Sequence, residues 1–385
     1  MNTHTSILML IALSTTVACN PAGPPDVSPD KPGPDRSDLD GELDDDEGDV
    51  DVDDEYQQDD DEVVDDDDEV IDDDGPDRQV PPTADEFNAL TLDARDAYTQ
   101  VHEVATTDWT TVVGDQGTEL FFNPDSFMKS DGTLADGDVE VELIEIFDKG
   151  SMLVTDMPST GQLPTGELAQ LISGGEHYVG ATQDGEELRL NGTFQITTPA
   201  SNTGGPDMEM GMFRAVVADG TPAGRDDQAV WVEEEDDREK FGIVGEGGGP
   251  DGAETLYWTI SDQFGWTNID RWYSDPRPKT TIHVDVPDGW DDTNSAVYLS
   301  YDGEPTALAR MDTYDDVTGL FSEHYGLIPV GLEVHLIFVT ESEGDWSYAI
   351  QGATIEENHV TTFATADDFI ETDTDGLVNA INALP

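Results

Sequence analysis

Short runs of β-forming residues, separated by turn sequences such as SDGT and QDGEE, occupy most of the chain after residue 105. This pattern favours antiparallel strands and is typical of a β-sandwich. Strands are predicted for TELFF (118–122), DVEVELIEIF (138–147), EHYVGATQ (176–183), ELRLNGTFQITT (187–198) and MGMFRAVV (210–217). They are predicted to resume with TLYWTI (255–260), TTIHVDV (280–286), SAVYLSY (295–301), GLEVHLIFV (331–339) and WSYAIQGATI (346–355).

The run at 138–147 alternates apolar and acidic residues. Alternation places successive side chains on opposite faces of a strand. We therefore expect Val139, Val141, Leu143 and Ile144 to face a core. Glu140, Glu142 and Glu145 are expected mostly to face solvent.

Helices are predicted near the two ends of this β-rich body. In the segment 82–98, Phe87, Leu90 and Ala94 recur at helical spacing. A second, short helix is predicted to close the chain within 365–385.

A Gly- and acid-rich stretch at 236–254 interrupts the strand pattern and reads as a hinge. We expect an all-β fold with two antiparallel β-sandwich-like domains, at 83–235 and 255–385, of which the second ends in the short helix.

Four segments carry a resemblance to a known family: GTELFF…DMPST (117–160), GELAQLISGGEHYVGATQDGEELRL (166–190), YWTISDQFGWTNIDRWY (257–273) and IPVGLEVHLIFV…WSYAIQGATIEEN (328–358). They resemble the ZU5-like β-sandwich of uncharacterised bacterial surface lipoproteins, a type common in Bacteroidota. The resemblance covers roughly residues 105–385. It implies a sandwich fold and attaches no chemistry to particular residues.

The N-terminus has the pattern of an export signal. ILMLIAL (7–13) is apolar but shorter than the about 20 residues that span a bilayer. Val17-Ala18-Cys19 is similar to a bacterial lipobox, which predicts a signal peptide at 1–18, lipidation of Cys19 and anchoring at the outer membrane or cell surface. The alternative is ordinary secretion with an incidental cysteine. Cys19 is the only cysteine in the sequence, so no internal disulfide is expected.

Residues 19–82 form a Pro- and Asp-rich segment, in which residues 21–80 contain 28 Asp or Glu and three Lys or Arg. Such a composition has little to bury and repels itself, which predicts a disordered linker. The linker is interpreted as a spacer between membrane and body. Loose calcium binding by its carboxylates is the alternative.

The acidity continues beyond the linker. The chain has a net charge of −73, and residues 81–385 contain 60 Asp or Glu and 12 Lys or Arg. A compact body with that charge is destabilised by its own field unless salt screens it, which favours a saline environment. The scarcity of Lys and Arg argues against nucleic acid or an anionic membrane as a partner and leaves the lipid as the membrane contact.

A cluster of aromatic and charged residues is the first candidate site. It would form a platform for a sugar, with the aromatic rings as stacking surfaces and the charged pair as anchors; the alternative is packing in a core. Its residues are Phe264, Trp266, Asp270, Arg271, Trp272 and Tyr273.

The segment 371–382 overlays the calcium-loop template, with Gly376 at position 6. The alternative is that Thr372 or Thr374, with the neighbouring aspartates, caps the final helix. The template ligands are Glu371, Asp373, Asp375, Asn379 and Asn382.

No catalytic motif is found, and the seven histidines lack a zinc-ligand spacing. We therefore expect a non-enzymatic surface protein for structural display, adhesion or interaction with a surface protein or glycan. A calcium-assisted carbohydrate-binding module is the alternative, and an unrecognised hydrolase the third. No cofactor is expected other than the calcium of that alternative.

Overall fold

The structure is a computed structural model that describes residues 80–234, 240–245, 254–323, 326–365 and 369–385. Strands form most of the regular secondary structure in these residues. The all-β prediction is confirmed, and so is the short C-terminal helix. The predicted signal peptide at 1–18, Cys19, almost all of the predicted linker and most of the predicted hinge lie outside the described residues.

Within the described residues, the elements up to Trp272 make three sheets, two helices and a 3-10 turn. In chain order they are α1 (Ala84–Tyr98), β1 (Gln100–Ala105), β2 (Thr110–Val113), β3 (Glu119–Phe122), β4 (Phe127–Met128), β5 (Asp138–Ile146), α2 (Lys149–Val154), β6 (Thr160–Gln162), β7 (Leu168–Gln183), β8 (Glu186–Glu187), β9 (Arg189–Leu190), β10 (Phe194–Pro199), a 3-10 turn (Ala200–Thr203), β11 (Gly211–Val216), β12 (Val230–Glu233), β13 (Phe241–Val244), β14 (Leu256–Ser261) and β15 (Gly265–Trp272).

The remaining elements are short strands, two long strands and the final helix. They are β16 (Lys279–Thr280), β17 (His283–Asp285), β18 (Ser295–Tyr301), β19 (Leu308–Arg310), β20 (Thr313–Asp315), β21 (Leu320–Ser322), β22 (Ile328–Pro329), β23 (Glu333–Ser342), β24 (Asp345–Thr354), β25 (Val360–Thr362), β26 (Ile370–Thr372) and α3 (Thr374–Asn382).

Two sheets of the first part share a core. Among the described residues, one sheet has the order β1-β5-β7-β15-β11-β12-β6, with β8 beside β7, and the other the order β13-β14-β10-β3-β2. Buried side chains of both sheets meet between them, including Leu120, Phe122, Val141, Val179 and Phe194. The alternating pattern of these strands therefore buries one face of each sheet against the other.

Two sheets of the second part share another core in the same way. Their strand orders, within the described residues, are β19-β18-β23-β24-β26 and β20-β21-β17-β25. Val284 and Phe321 of the smaller sheet are buried with Val297, Leu336 and Phe338 of the larger one.

The strand pairing does not change at the stretch 236–254 that was predicted to be a hinge. β14 pairs with β10, and β15 pairs with both β7 and β11, so these strands belong to the sheets of the first part. The change of sheets follows Trp272, and one compact unit contains all the described residues. The stretch also contains β13, which pairs with β14, so the hinge prediction was wrong for residues 241–244. Gly- and acid-rich composition does not exclude a short strand, and it carries no information about which distant strand the next segment joins.

A third core joins the two parts and positions the candidate site. α1, α2 and α3 pack between the outer face of the large first sheet and the strands β18, β23 and β24. Phe87 of α1 lies edge-on to Trp346 of β24, with ring centroids 6.3 Å apart. Helix α1 therefore forms one wall at the junction of the two parts.

The sequence of α1 explains its start. Thr83 accepts a hydrogen bond from the Glu86 backbone, and the Glu86 side chain accepts one from the Thr83 N–H, which is a capping box. Phe87, Leu90 and Ala94 are buried on one face, as their spacing predicts. Within the described residues, no helix has the length and apolarity needed to cross a membrane.

The expectation for Glu145 was wrong, because its side chain is buried. Its carboxylate accepts hydrogen bonds from Gln100 Nε2 at 2.8 Å and from the N–H groups of Gln116 and Thr118 at 3.0 Å each. Burial opposes ionisation, but these donors hold the pKa of Glu145 below its ordinary value. Alternation alone does not show that a glutamate closes a neighbouring turn.

Candidate ligand-binding cleft

Asp156 lies in the turn that follows α2. Its φ is +47°, in the left-handed region that residues other than glycine rarely adopt. Its N–H donates to Leu153 O at 3.1 Å, which fixes the turn against the end of the helix. Uncommon backbone conformations persist where the surroundings hold them, and they concentrate at functional sites.

Three side chains from separate elements donate to the Asp156 carboxylate. Tyr298 of β18 donates to Oδ1 at 2.6 Å. Gln228 and Arg310, at the end of β19, donate to Oδ2 at 2.8 and 2.5 Å. The carboxylate thus joins the loop before β12 to two strands of the second part.

The surroundings of the Asp156 carboxylate stabilise the charge of Arg310 and keep the Tyr298 hydroxyl protonated. Burial lowers the basicity of Arg310, but the adjacent Asp156 outweighs burial and raises the pKa of the guanidinium. Burial, together with the Asp156 charge, raises the pKa of the Tyr298 hydroxyl well above its ordinary value. Asp156 and Arg310 therefore form an ion pair, and Tyr298 remains a hydrogen-bond donor.

Arg95 holds the backbone around Asp156. Its side chain projects from α1 and is fully buried. The guanidinium donates to Thr155 O at 2.8 Å, Arg225 O at 2.9 Å and Asp227 O at 3.2 Å. One buried cation thus fixes the turn that bears Asp156 and the loop that bears Gln228.

Two cavities open on the Asp156–Arg310 pair. One has a volume of about 570 Å³ and is lined by α1 and the 291–293 loop, among other segments. The other has a volume of about 460 Å³ and is lined by β6, β12 and residues 310–312, among others. Both are lined by Asp156, Gln228, Asp292 and Arg310. We call these two cavities together the Asp156 cleft.

Several polar side chains in the Asp156 cleft have unused hydrogen-bonding capacity. Arg310 is 20% exposed and has Asp156 as its single side-chain partner among the described residues. Asp292, Asn88 and Thr91 line the same space, and no described residue is hydrogen-bonded to their side chains. The cleft therefore presents donors and acceptors that a ligand is able to use.

No known protein-family model matches this chain, and no curated protein sequence matches it significantly. The ZU5-like resemblance stays a prediction.

The six residues of the predicted aromatic platform do not share one surface. The bulge between Asn268 and Asp270 and the alternation of β15 direct their side chains into different surroundings. Phe264 packs in the core of the first two sheets, while Trp266 and Trp272 pack in the core that contains the helices. Tyr273 packs against Tyr301, with ring centroids 5.1 Å apart.

The polar atoms of this segment bond to other parts of the protein. Arg271 forms an ion pair with Asp207 at 2.6 Å, and Trp272 donates to Glu233 at 2.8 Å. Trp266 donates to Gly224 O at 3.1 Å and so supports the loop that carries Gln228. The packing alternative describes these residues better than a sugar platform does.

The five residues of the calcium template lie along β26 and α3. Asp373 is the N-cap of α3, and its carboxylate accepts the Gly376 N–H at 2.8 Å. Glu371 accepts from Ser342 at 2.8 Å. Asn382 accepts the Gly150 N–H at 2.9 Å and donates to Asp148 at 2.7 Å.

These partners favour the capping alternative, with Asp373 as the cap in place of Thr372 or Thr374. Asn382 binds α2, and Asp375 and Asn379 lie on the exposed side of α3. Among the residues that the structure describes, no group of three or more His, Cys, Asp or Glu has the arrangement of a metal site.

Sequence reasoning did not select Arg95, Asp156, Gln228, Tyr298 or Arg310. The sequence did contain one signal for these residues. With 15 Lys and Arg in 385 residues, positively charged side chains are rare in the body. Each buried arginine was therefore a candidate for an internal role. The convergence of segments more than 140 residues apart on Asp156 has no local signature.

Proposed function

We propose that the protein is a non-enzymatic, lipid-anchored surface protein that holds a small polar ligand in the Asp156 cleft. The observation that carries this proposal is the position of the Asp156–Arg310 pair, on which both cavities open. Their volumes lie within the about 300–1,000 Å³ range of small-molecule sites.

Binding is favoured over catalysis by the state of the side chains. Asp156 accepts from three donors, so its carboxylate is not available as a general base, and the exposed Asp292 carboxylate has no hydrogen-bond partner among the described residues that would position it for that role. Among the described residues, neither cavity is lined by a His, Cys or Ser. A nucleophile with a partner that activates it is the usual requirement for covalent hydrolysis.

The rigidity of the wall supports the same proposal. Arg95 fixes the backbone on two sides of the cleft, and Trp266 fixes Gly224 O. A site with a preformed lining loses less conformational entropy when a ligand binds. The charged body with its few lysines then keeps the protein soluble in a saline medium.

The anchor is proposed from the sequence of the first 19 residues. Cys19→Ser is expected to move the protein from the detergent-soluble membrane fraction to the soluble fraction, because the acyl chains supply the membrane attachment. Continued membrane partitioning of the variant would overturn the anchor and leave the cleft proposal intact.

The cleft is tested by a thermal-shift screen of full-length protein in molar NaCl. The library contains sugars, amino acids, organic acids and polyamines. Asn88→Trp fills the cleft from the exposed face of α1, and Ala89→Trp is the matched control, since Ala89 is exposed and does not line either cavity.

We expect at least one compound to raise the melting temperature of the wild type and of Ala89→Trp but not of Asn88→Trp. A screen without such a compound, or one in which both variants respond alike, contradicts the proposal.

A further inference from the structure

We infer that the Asp156 cleft recognises a neutral, hydroxyl-rich molecule of the size of a mono- or disaccharide. This inference rests on the proposed function and adds the chemical class of the ligand. It is carried by the spatial relation of Arg310 to Asp292 and by the polar side chains around them.

Arg310 and Asp292 offer opposite hydrogen-bonding groups across one space. Both residues line both cavities, and the described structure contains no ion pair between them. The Asp292 charge nevertheless contributes to the raised pKa of Arg310, which shows that the two charges lie within electrostatic reach. A hydroxyl group between them accepts from the guanidinium and donates to the carboxylate at the same time.

Uncharged polar groups continue this pattern along the wall. Asn88 and Thr91 are three residues apart and lie on one face of α1. The Gln228 amide donates to Asp156 through Nε2, which leaves its Oε1 as an acceptor. Alternating donors and acceptors of this kind match a series of hydroxyl groups better than a single charged group.

An apolar surface accompanies the polar groups. Leu92 is 41% exposed at the first cavity, and Val216, Ala218 and Val230 line the second. A sugar ring has a C–H face as well as hydroxyl groups, so a site for it combines both kinds of lining.

The charge of the site disfavours anions. Asp226 and Asp292 are exposed at the first cavity, and the surrounding body is strongly acidic, so an anion is repelled during approach. A cation is attracted by the same field, but it supplies no acceptor for the remaining N–H groups of Arg310 at the junction of the cavities. A neutral hydroxyl-rich ligand is not repelled, and it offers both an acceptor for Arg310 and a donor for Asp292.

The experiment is isothermal titration of full-length protein in molar NaCl. The neutral probes are glucose, galactose, mannose, maltose, cellobiose and trehalose, and the charged probes are glucuronate and glucosamine. Asp292→Asn keeps the shape of an exposed side chain and removes the charged acceptor. Asp93→Asn is the matched control, because Asp93 is exposed on α1 and does not line the cleft.

We expect at least one neutral probe to bind. Asp292→Asn should lower its affinity about tenfold, which corresponds to the loss of about one good hydrogen bond. Asp93→Asn should leave the affinity unchanged. The inference is overturned if no neutral probe binds, if a charged probe binds more tightly than its neutral counterpart, or if Asp292→Asn has no effect. If any of these results is obtained but the Asn88→Trp screen has identified another compound, the proposed binding function stands and only the ligand class is wrong. If the screen has identified no compound, both proposals are wrong.

Discussion

Glu176 and Asp270 lie on the paired strands β7 and β15, and the Asn268 amide contacts both carboxyl groups, at 3.4 and 2.7 Å. Both side chains are fully buried. One oxygen of each, Glu176 Oε2 and Asp270 Oδ1, has no hydrogen-bond partner within the described part of the chain. Burial raises the pKa of both groups well above the ordinary values, and the Asp270 charge adds to the effect on Glu176.

Glu176→Gln is expected to stabilise the protein above about pH 5. A raised folded-state pKa gives stability that is fully present below the unfolded pKa of about 4.3 and is lost as the pH rises through the folded pKa. Glutamine does not ionise, so the variant avoids the cost of a buried charge. Its free energy of unfolding should therefore exceed that of the wild type by an amount that grows with pH.

Urea unfolding from pH 4 to pH 9 measures this difference. Glu187→Gln is the control, because Glu187 is exposed on β8. A Glu176→Gln protein that is no more stable than the wild type at pH 8 would show that the buried carboxyl is ionised without cost.

His177 is expected to set the acid limit of stability. Burial lowers its pKa to about 4, against the attraction of Glu145, and its Nε2 lies 3.1 Å from Thr198 Oγ1. The unfolded chain takes up a proton near pH 6.5, so stability present above that pH is lost as the pH falls towards the folded pKa. In His177→Gln the slope of stability against pH between 6.5 and 4 should decrease. An unchanged slope would assign the acid limit to other groups.

The Asp156–Arg310 pair is expected to be energetically coupled. Asp156 is buried and Arg310 is 20% exposed, so loss of one partner leaves a poorly solvated charge. Asp156→Asn should lower the free energy of unfolding by about 3 kcal/mol, the low end for a broken buried pair. In a double-mutant cycle with Arg310→Met, additive losses would show that the pair does not interact.

The two interpretations of segment 371–382 predict different effects of calcium. Asp373→Ala should cost about 1 kcal/mol as a lost N-cap, and Asn382→Ala should destabilise because it bonds to Asp148 and Gly150. Asn379→Ala is the control, since Asn379 is exposed on the same helix. We expect the same costs in EDTA and in millimolar calcium. If Asp373→Ala and Asn382→Ala lower the free energy of unfolding only in the presence of calcium, the metal-loop interpretation is supported.

The acidic surface is expected to make stability depend on salt. The melting temperature of the wild type should rise from low to molar NaCl as the like charges are screened. Replacing the exposed Glu186 and Glu187 by lysine should reduce this dependence. A melting temperature that is independent of NaCl contradicts a saline adaptation.

Periodicity predicted the local structure well and the pairing poorly. Phe87, Leu90 and Ala94 are buried on α1 as expected, and each predicted strand overlaps a strand of the structure. Several strands, among them β1, β2, β12 and β13, were not predicted. The partners of β15 were not predictable, because β7 and β11 are selected by packing across the whole unit.

The candidate site was missed for a related reason. FGWTNIDRWY is conspicuous in the sequence because its aromatic residues are adjacent, but neighbouring positions of a strand face opposite sides. Asp156, Tyr298 and Arg310 are distant in sequence and inconspicuous individually. Only the fold brings them together.

The most direct test of the Asp156 cleft as a binding site is a crystal structure of the full-length protein with the strongest compound from the thermal-shift screen. We expect ligand density between Arg310 and Asp292, in contact with the α1 wall at Asn88. Density at another surface, with the Asp156 cleft occupied by water alone, would contradict it.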